Sequence, residues 1–234
     1  MWKNNEAGGG PEGKPNSTER PLAGEDVHGM LAELNEQCLA LLAEQALRPI
    51  APPTPPMFRE LVSLWSQLDV NSRRRAATCP YLLMDAGFCD PYRWQWLSDQ
   101  HANARSGVQD PLRAPVGFGK FFTAPSLIDV ARKVFTNAWY IAQSQPVGAT
   151  LFLGMPSYCV ALLRTCSMQQ LMDLADEHAG WLRPRWPGRP KVWQDLLEAG
   201  LSADPAALEM ARLHGVQLLA MELKAHDRLK GPGR

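Results

Sequence analysis

The chain has 234 residues, with 24 Lys plus Arg against 24 Asp plus Glu, so its formal net charge is zero. A balanced charge excludes a protein that coats nucleic acid or an anionic membrane through bulk electrostatics; any such contact needs a local patch. Hydrophobic residues make up 45% of the sequence but are spread out, with no run near the roughly 18 apolar residues of a membrane span.

The opening Met-Trp-Lys-Asn-Asn-Glu lacks the apolar stretch of a secretory signal, so a soluble, cytoplasmic chain with no membrane partner is expected. Cys38, Cys79, Cys89, Cys159 and Cys166 are an odd number with no C-x-x-C pair. They read as small buried hydrophobes in a reducing compartment, not as a zinc site or a disulfide framework.

In chain order, residues 1–24 hold Gly, Pro, Asn and charge with little to bury, and are expected to form a disordered tail. A helical domain of unassigned role is expected over 25–102. Its first helix carries Val27, Met30, Leu31, Leu34, Cys38, Leu41 and Leu42 on one face. Pro49 to Pro56 end that helix as a stiff linker. A second helix is expected over 57–68, burying Phe58, Leu61, Val62, Trp65 and Leu68. Asn71 or Ser72 then caps a third helix with Arg73, Arg74 and Arg75 in its first turn, where the dipole disfavours cations. That run reads as a solvated face or as an anion site. Pro80 restarts the helix over 81–86, Gly87 stops it, and Asp90-Pro91 opens another carrying Tyr92, Trp94, Trp96 and Leu97.

Residues 103–124 are punctuated by Gly, Pro and Ser and form the best internal boundary; Phe118, Phe121 and Phe122 within them suggest a loop packed on the body. A second helical domain is expected over 125–230. Ser126 with Asp129 resembles a capping box, ahead of a stripe of Leu127, Val130, Val134, Phe135, Ala138 and Ile141. After the break at Pro146 and Gly148, short helices are expected over 156–164 and 168–178. Ser167 caps the second, with Gln170 at the reciprocal position. Joined by two or three residues, they have the dimensions of a helix-turn-helix. A last helix runs from Asp204-Pro205 to about residue 228 and is apolar on much of its circumference. The expected class is therefore all-α.

The residues do not assemble a catalytic pattern. The five histidines lie in separate elements without metal-pair spacing, and no nucleophile elbow, phosphate loop or dinucleotide fingerprint occurs. Asp173, Asp176, Glu177 and His178 span too much of a helix circumference for a cation site. Nothing local supports a Cys166–His178 nucleophile and base. A non-enzymatic protein with no cofactor is expected. The segment 181–193 stands out: Arg183, Arg185, Arg189 and Lys191 alternate with Trp181, Trp186 and Trp193, without an acid, and Pro184, Pro187 and Pro190 are expected to keep it extended. Cations interleaved with flat aromatics suit phosphate contact and base stacking. Equally, the tryptophans could anchor a surface loop while the cations reach into water.

From about 137 to 186 the chain resembles the FlhD family of bacterial flagellar transcriptional activators. The residues that carry this are Ile141-Ala-Gln143, Leu151-Phe-Leu-Gly-Met155, Met168-Gln-Gln-Leu-Met-Asp-Leu-Ala175 and Arg183-Pro-Arg-Trp186. Leu182 stands where some members have cysteine, so no intersubunit disulfide is expected there, and nothing before about Ser126 is similar. The resemblance implies a dimer-forming α-helical subunit that joins an FlhC-like protein and meets DNA, alone or within that complex. Arg164, Arg183, Arg185, Arg189 and Lys191 would then contact phosphates, and Gln169 and Gln170, early in the second hairpin helix, would read bases. A different class of function stays open beside it: a non-catalytic protein-protein adaptor or secretion-associated accessory protein, with the Arg-Trp segment docking an acidic partner.

Because residues 1–24 contribute little apolar surface, removing them leaves the melting temperature nearly unchanged. Thermal unfolding of the shortened chain checks this; a large drop would mean that the tail packs on the body.

Overall fold

The computed structural model describes residues 24–48, 54–90, 92–94, 121–122 and 125–229. Helices make up 75% of the structure, and the only strands among the described residues are two of two residues each, so the fold is all-α. The first helix, α1 (Gly24–Ala46), buries Val27, Leu31, Leu34, Cys38, Leu41 and Leu42 along the face that their spacing predicts. The helix expected over 57–68 is instead two pieces, α2 (Pro56–Arg59) and α3 (Val62–Gln67). Leu61, at φ −114° and ψ 19°, breaks the helical path between them and resets its phase. Phe58, Leu61, Trp65 and Leu68 still go inside, but Val62 turns to solvent.

The next helix, α4 (Val70–Ala77), starts earlier than its sequence suggests, because Asp69 caps it. One Asp69 carboxylate oxygen accepts from the Ser72 N–H and the Ser72 hydroxyl, both at 2.7 Å; these bonds hold the carboxyl below its usual range. The shift of start reverses the reading of the arginine run. Arg74 and Arg75 lie in the last turn, where the helix dipole favours cations. All three have protein partners: Arg73 donates to the Leu68 carbonyl at 2.9 Å, Arg74 reaches Glu36 at 3.3 Å, and Arg75 donates to the Gly200 carbonyl at 2.7 Å.

The helix expected over 81–86 does not form. The segment runs extended and includes β1 (Met84–Asp85), which pairs antiparallel with β2 (Arg183–Pro184), Met84 opposite Pro184 and Asp85 opposite Arg183. Its backbone groups are taken by other elements. The Leu82 N–H donates to Phe152 at 2.8 Å, the Leu83 N–H to the Asn35 side chain at 2.8 Å, and the Leu83 carbonyl accepts from the Arg185 N–H at 3.0 Å. Gly87 follows with a φ of +74°, a left-handed turn suited to glycine. Asp90 begins a helical turn as expected, accepting from the N–H groups of Tyr92 at 3.1 Å and Arg93 at 3.4 Å.

The second half opens with α5 (Leu127–Ser144), which buries the whole predicted stripe from Leu127 to Ile141. The capping box at Ser126 is not made; the Ser126 hydroxyl donates to Glu44 at 3.1 Å and ties α5 to α1. Next come α6 (Pro146–Leu153), stopped by left-handed Gly154, then α7 (Ser157–Thr165) and α8 (Met168–His178). A single 3-10 turn (Ala179–Trp181) leads into β2. Then α9 (Pro190–Ser202), which the sequence reading missed, precedes the long α10 (Pro205–Leu229).

Two groupings share one continuous hydrophobic core. In one, α1, α6, α7 and α8 pack around α5; in the other, α2, α3, α4 and α10 pack around α9, and the α1–α4 contact joins them. The expected tail over 1–24 and loop over 103–124 lie almost wholly outside the described residues, as do Trp96 and Leu97. From that loop, Phe122 is buried and Phe121 sits 5.6 Å from the Phe58 ring.

Asn35 holds the joint between α1 and the extended segment. Fully buried, it donates to the carbonyls of Ala77 at 3.2 Å and Tyr81 at 2.8 Å while accepting from Leu83. Truncation strands three interior backbone groups, so Asn35→Ala lowers stability by about 3 kcal/mol. Urea denaturation reads that loss, and a change below about 1 kcal/mol would show that the joint does not depend on it.

Candidate binding surfaces

The cations of the basic-aromatic segment have unlike fates. Arg185 points inward and is 5% exposed. Its guanidinium donates to the Leu82 carbonyl at 2.8 Å and the Leu153 carbonyl at 2.5 Å, and lies 3.6 Å from the Glu222 carboxylate. It is a clasp between the extended segment, the end of α6 and α10, and as folded it has no reach to a phosphate. Arg183 sits half-buried in β2 opposite Asp85, where burial and Arg93 disfavour its charge. Lys191 is exposed and pairs with Asp195 at 2.7 Å, one turn on in α9. Arg189 is exposed just ahead of that helix.

The three tryptophans serve the interior. Trp193 is buried and donates to the Arg185 carbonyl at 2.8 Å. Trp186 donates to Glu222 at 2.6 Å and meets the Tyr81 ring edge-on at 5.8 Å, in a left-handed conformation (φ 51°). Trp181 stacks on His178 at 4.5 Å, with Arg93 over its ring at 5.2 Å. None of them offers a free face on which bases could stack. The anchoring alternative fits the tryptophans but not Arg185, which turns inward with them, and Pro190 starts a helix and does not prolong an extended loop.

The helical hairpin exists as its spacing predicts. Only Cys166 and Ser167 separate α7 from α8, and the Ser167–Gln170 capping box is made, at 3.3 Å and 2.8 Å. Each helix makes its main contacts with α5. Gln170 spends its side-chain oxygen on that box, and Gln169 donates to Asp173 at 2.8 Å. Arg164 is exposed at the end of α7. The outer face of α8 is acidic, with Asp173, Asp176 and Glu177 all exposed. Arg132 neutralises one of these: it grips Asp176 at 2.6 and 2.8 Å and holds that carboxyl below its usual range. Thus Arg164, Arg189 and Lys191 are the exposed cations among the proposed DNA contacts, and they do not adjoin a basic recognition helix.

Burial pushes the Cys166 thiol up to about 11 and the Cys79 thiol up to about 12, and it raises that of Cys38 further still. Among the described residues no three His, Cys, Asp or Glu side chains gather as a metal site, and no helix is long and apolar enough to cross a membrane.

What the surface does offer is apolar. On α10, Met210 (68% exposed), Leu213 (49%), Val216 and Met221 (64%) face solvent. A groove of about 700 Å³ runs beside them, with Asp195, Glu198 and Ser202 of α9 and His214 of α10 in its walls. The opposite face of α10 is seated firmly: Ala211, Leu218 and Leu219 are buried, and Gly215 lies so close to Tyr81 that a Cβ there would run into its ring. Comparison of the chain with protein-family models, curated proteins and solved structures finds no match.

The split among the cations is measurable. Arg185→Ala removes two charged hydrogen bonds from buried carbonyls and costs about 3 kcal/mol, whereas Arg189→Ala changes stability by less than about 0.5 kcal/mol. Parallel denaturant titrations compare them; equal effects would contradict the inward placement of Arg185.

Proposed function

We propose that the protein is a non-catalytic, cytoplasmic association subunit, an adaptor that works by docking helical surfaces onto other chains. The observation that carries this reading is the inversion of roles across the fold. Arg185, Trp186, Trp193 and the buried cysteines, groups able to grip charge or take part in chemistry, are used inside. Large apolar side chains stand in water instead, on α10 and at Val147 and Leu151 of α6. Exposed apolar surface of this kind marks protein-binding faces, and two methionines on α10 suit adaptable contact.

A second reading rests on the hairpin. The capped α7–α8 pair followed by β2 keeps the order that the FlhD resemblance implies, and this favours a transcription-regulator subunit. The acidic outer face of α8 limits that reading to DNA contact made within a complex, such as one with an FlhC-like partner, because a lone acidic helix is repelled by phosphates.

Salt-dependent DNA retention separates the two. The adaptor reading expects no retention of duplex DNA by the chain alone at any salt concentration. Retention by the chain or its complex, with a salt slope falling by about one unit for each of Arg164→Ala, Arg189→Ala and Lys191→Ala, would replace the adaptor with the regulator subunit.

A further inference from the structure

We infer that the exposed face of α10 is covered by the same face of a second copy of this chain, packed antiparallel about a two-fold axis. The inference rests on the reading of the protein as an association subunit and names the partner of its most apolar surface. The stripe repeats at coiled-coil spacing, with Met210, Leu213, Gln217, Ala220 and Lys224 on one line and Val216 and Met221 flanking it, all exposed. Every apolar member faces away from the body, so none contributes to the core of its own chain.

Charge selects the occupant and its direction. Glu209 lies at the N-terminal end of the stripe, exposed and 3.3 Å from Arg212 on its own helix, and Lys224 lies exposed at the other. Beside the N-terminal end, Glu198 of α9 adds acid to the groove wall, where Asp195 is already paired with Lys191. The sequence from 224 onward is basic, with Lys224, Arg228, Lys230 and Arg234 against Asp227. A parallel pair would set Glu209 against Glu209 and Lys224 against Lys224. An antiparallel pair lays the basic end of each helix over the acidic end of the other, twice by symmetry, as an isologous interface requires. The chain's own residues 1–23 make a poorer cover, since Met1, Trp2 and Leu22 are their only large apolar side chains.

Size sets the strength. From Met210 to Lys224 the stripe is ~21 Å long at 1.5 Å per residue. With the α9 wall it is about two helix diameters wide, which gives roughly 800 Å² for both copies together, the size of a weak, transient interface. A dimer that dissociates in the micromolar range is the consequence.

Sedimentation equilibrium of the full chain across that range tests the inference. The expected result is a reversible approach to twice the 26.0 kDa monomer mass, with Leu213→Glu weakening self-association by at least about tenfold. Because Leu213 is exposed, the helical dichroism of that variant stays that of the wild type, which separates lost pairing from lost folding. Glu209→Lys alone weakens the dimer, and adding Lys224→Glu restores it, an outcome that only antiparallel pairing of these two ends produces. A monomer at every concentration, a dimer indifferent to Leu213→Glu, or a charge exchange without restoration would each overturn the inference. A monomeric chain that binds a different protein through a contact abolished by Leu213→Glu overturns the second-copy assignment and leaves the association reading standing.

Discussion

A guanidinium placed inside a helical body needs acceptors on several sides, and Arg185 finds them in three parts of the chain. It holds the carbonyl of Leu82 in the extended segment and that of Leu153 at the end of α6, and lies beside Glu222 on α10. Its own backbone takes part as well, since its N–H donates to Leu83 and its carbonyl accepts from Trp193. Removing such a cation leaves interior carbonyls with neither protein nor water to bond, so the surrounding elements are committed to one arrangement. Burial raises the Glu222 carboxyl, and Arg185 and the Trp186 indole oppose that rise. Glu222, its side chain 44% exposed, is the partner of the clasp that reaches water, whereas Leu82 and Leu153 are buried.

From this clasp follows the orientation of α10. Glu222 and the close passage of Gly215 over Tyr81 fix which face of the helix looks inward. What is left outward includes Met210, Leu213, Val216 and Met221, an apolar stripe interrupted by Gln217 and Lys224. The same interior bonding that excludes Arg185 from the surface therefore presents the apolar stripe on which the proposed association depends. Function and stability meet at one residue, although only the stripe touches a partner.

The hairpin and the basic-aromatic segment show how a motif changes meaning with its surroundings. The turn between α7 and α8 is local chemistry, a serine cap answered by a glutamine three residues on, and it forms as its sequence implies. Whether the second helix of such a pair suits phosphate is not local. It depends on Asp173, Asp176 and Glu177 standing outward and on Arg132 of α5 crossing to neutralise one of them. In the same way, alternation of Arg and Trp over 181–193 describes a polar strip only if both residue types face out. Here the tryptophans and Arg185 turn in, and Arg189 and Lys191 alone are fully at the surface.

Those elements whose own periodicity decides their fate were readable from the residues: the buried face of α1, the stripe of α5, the cap of α8 and the span of α10. Each buries an apolar face at 3.6-residue spacing or satisfies its end with a neighbouring side chain, and neither needs a distant partner. The signal for α9 was also present, in Val192, Trp193, Leu196 and Leu197 behind an N-terminal proline, but the prolines before it were read as extending the chain. Tertiary contacts decided the rest. Residues 81–85 have the composition of a helix and are held extended, because Asn35, Phe152 and Arg185 take their backbone groups. Composition likewise offered Arg185 as a surface cation, and only the packing of α6, β1 and α10 around one point made it an interior one. Local sequence sets which side chains share a helix face; the competition among distant groups for buried hydrogen bonds sets which of those faces meets water.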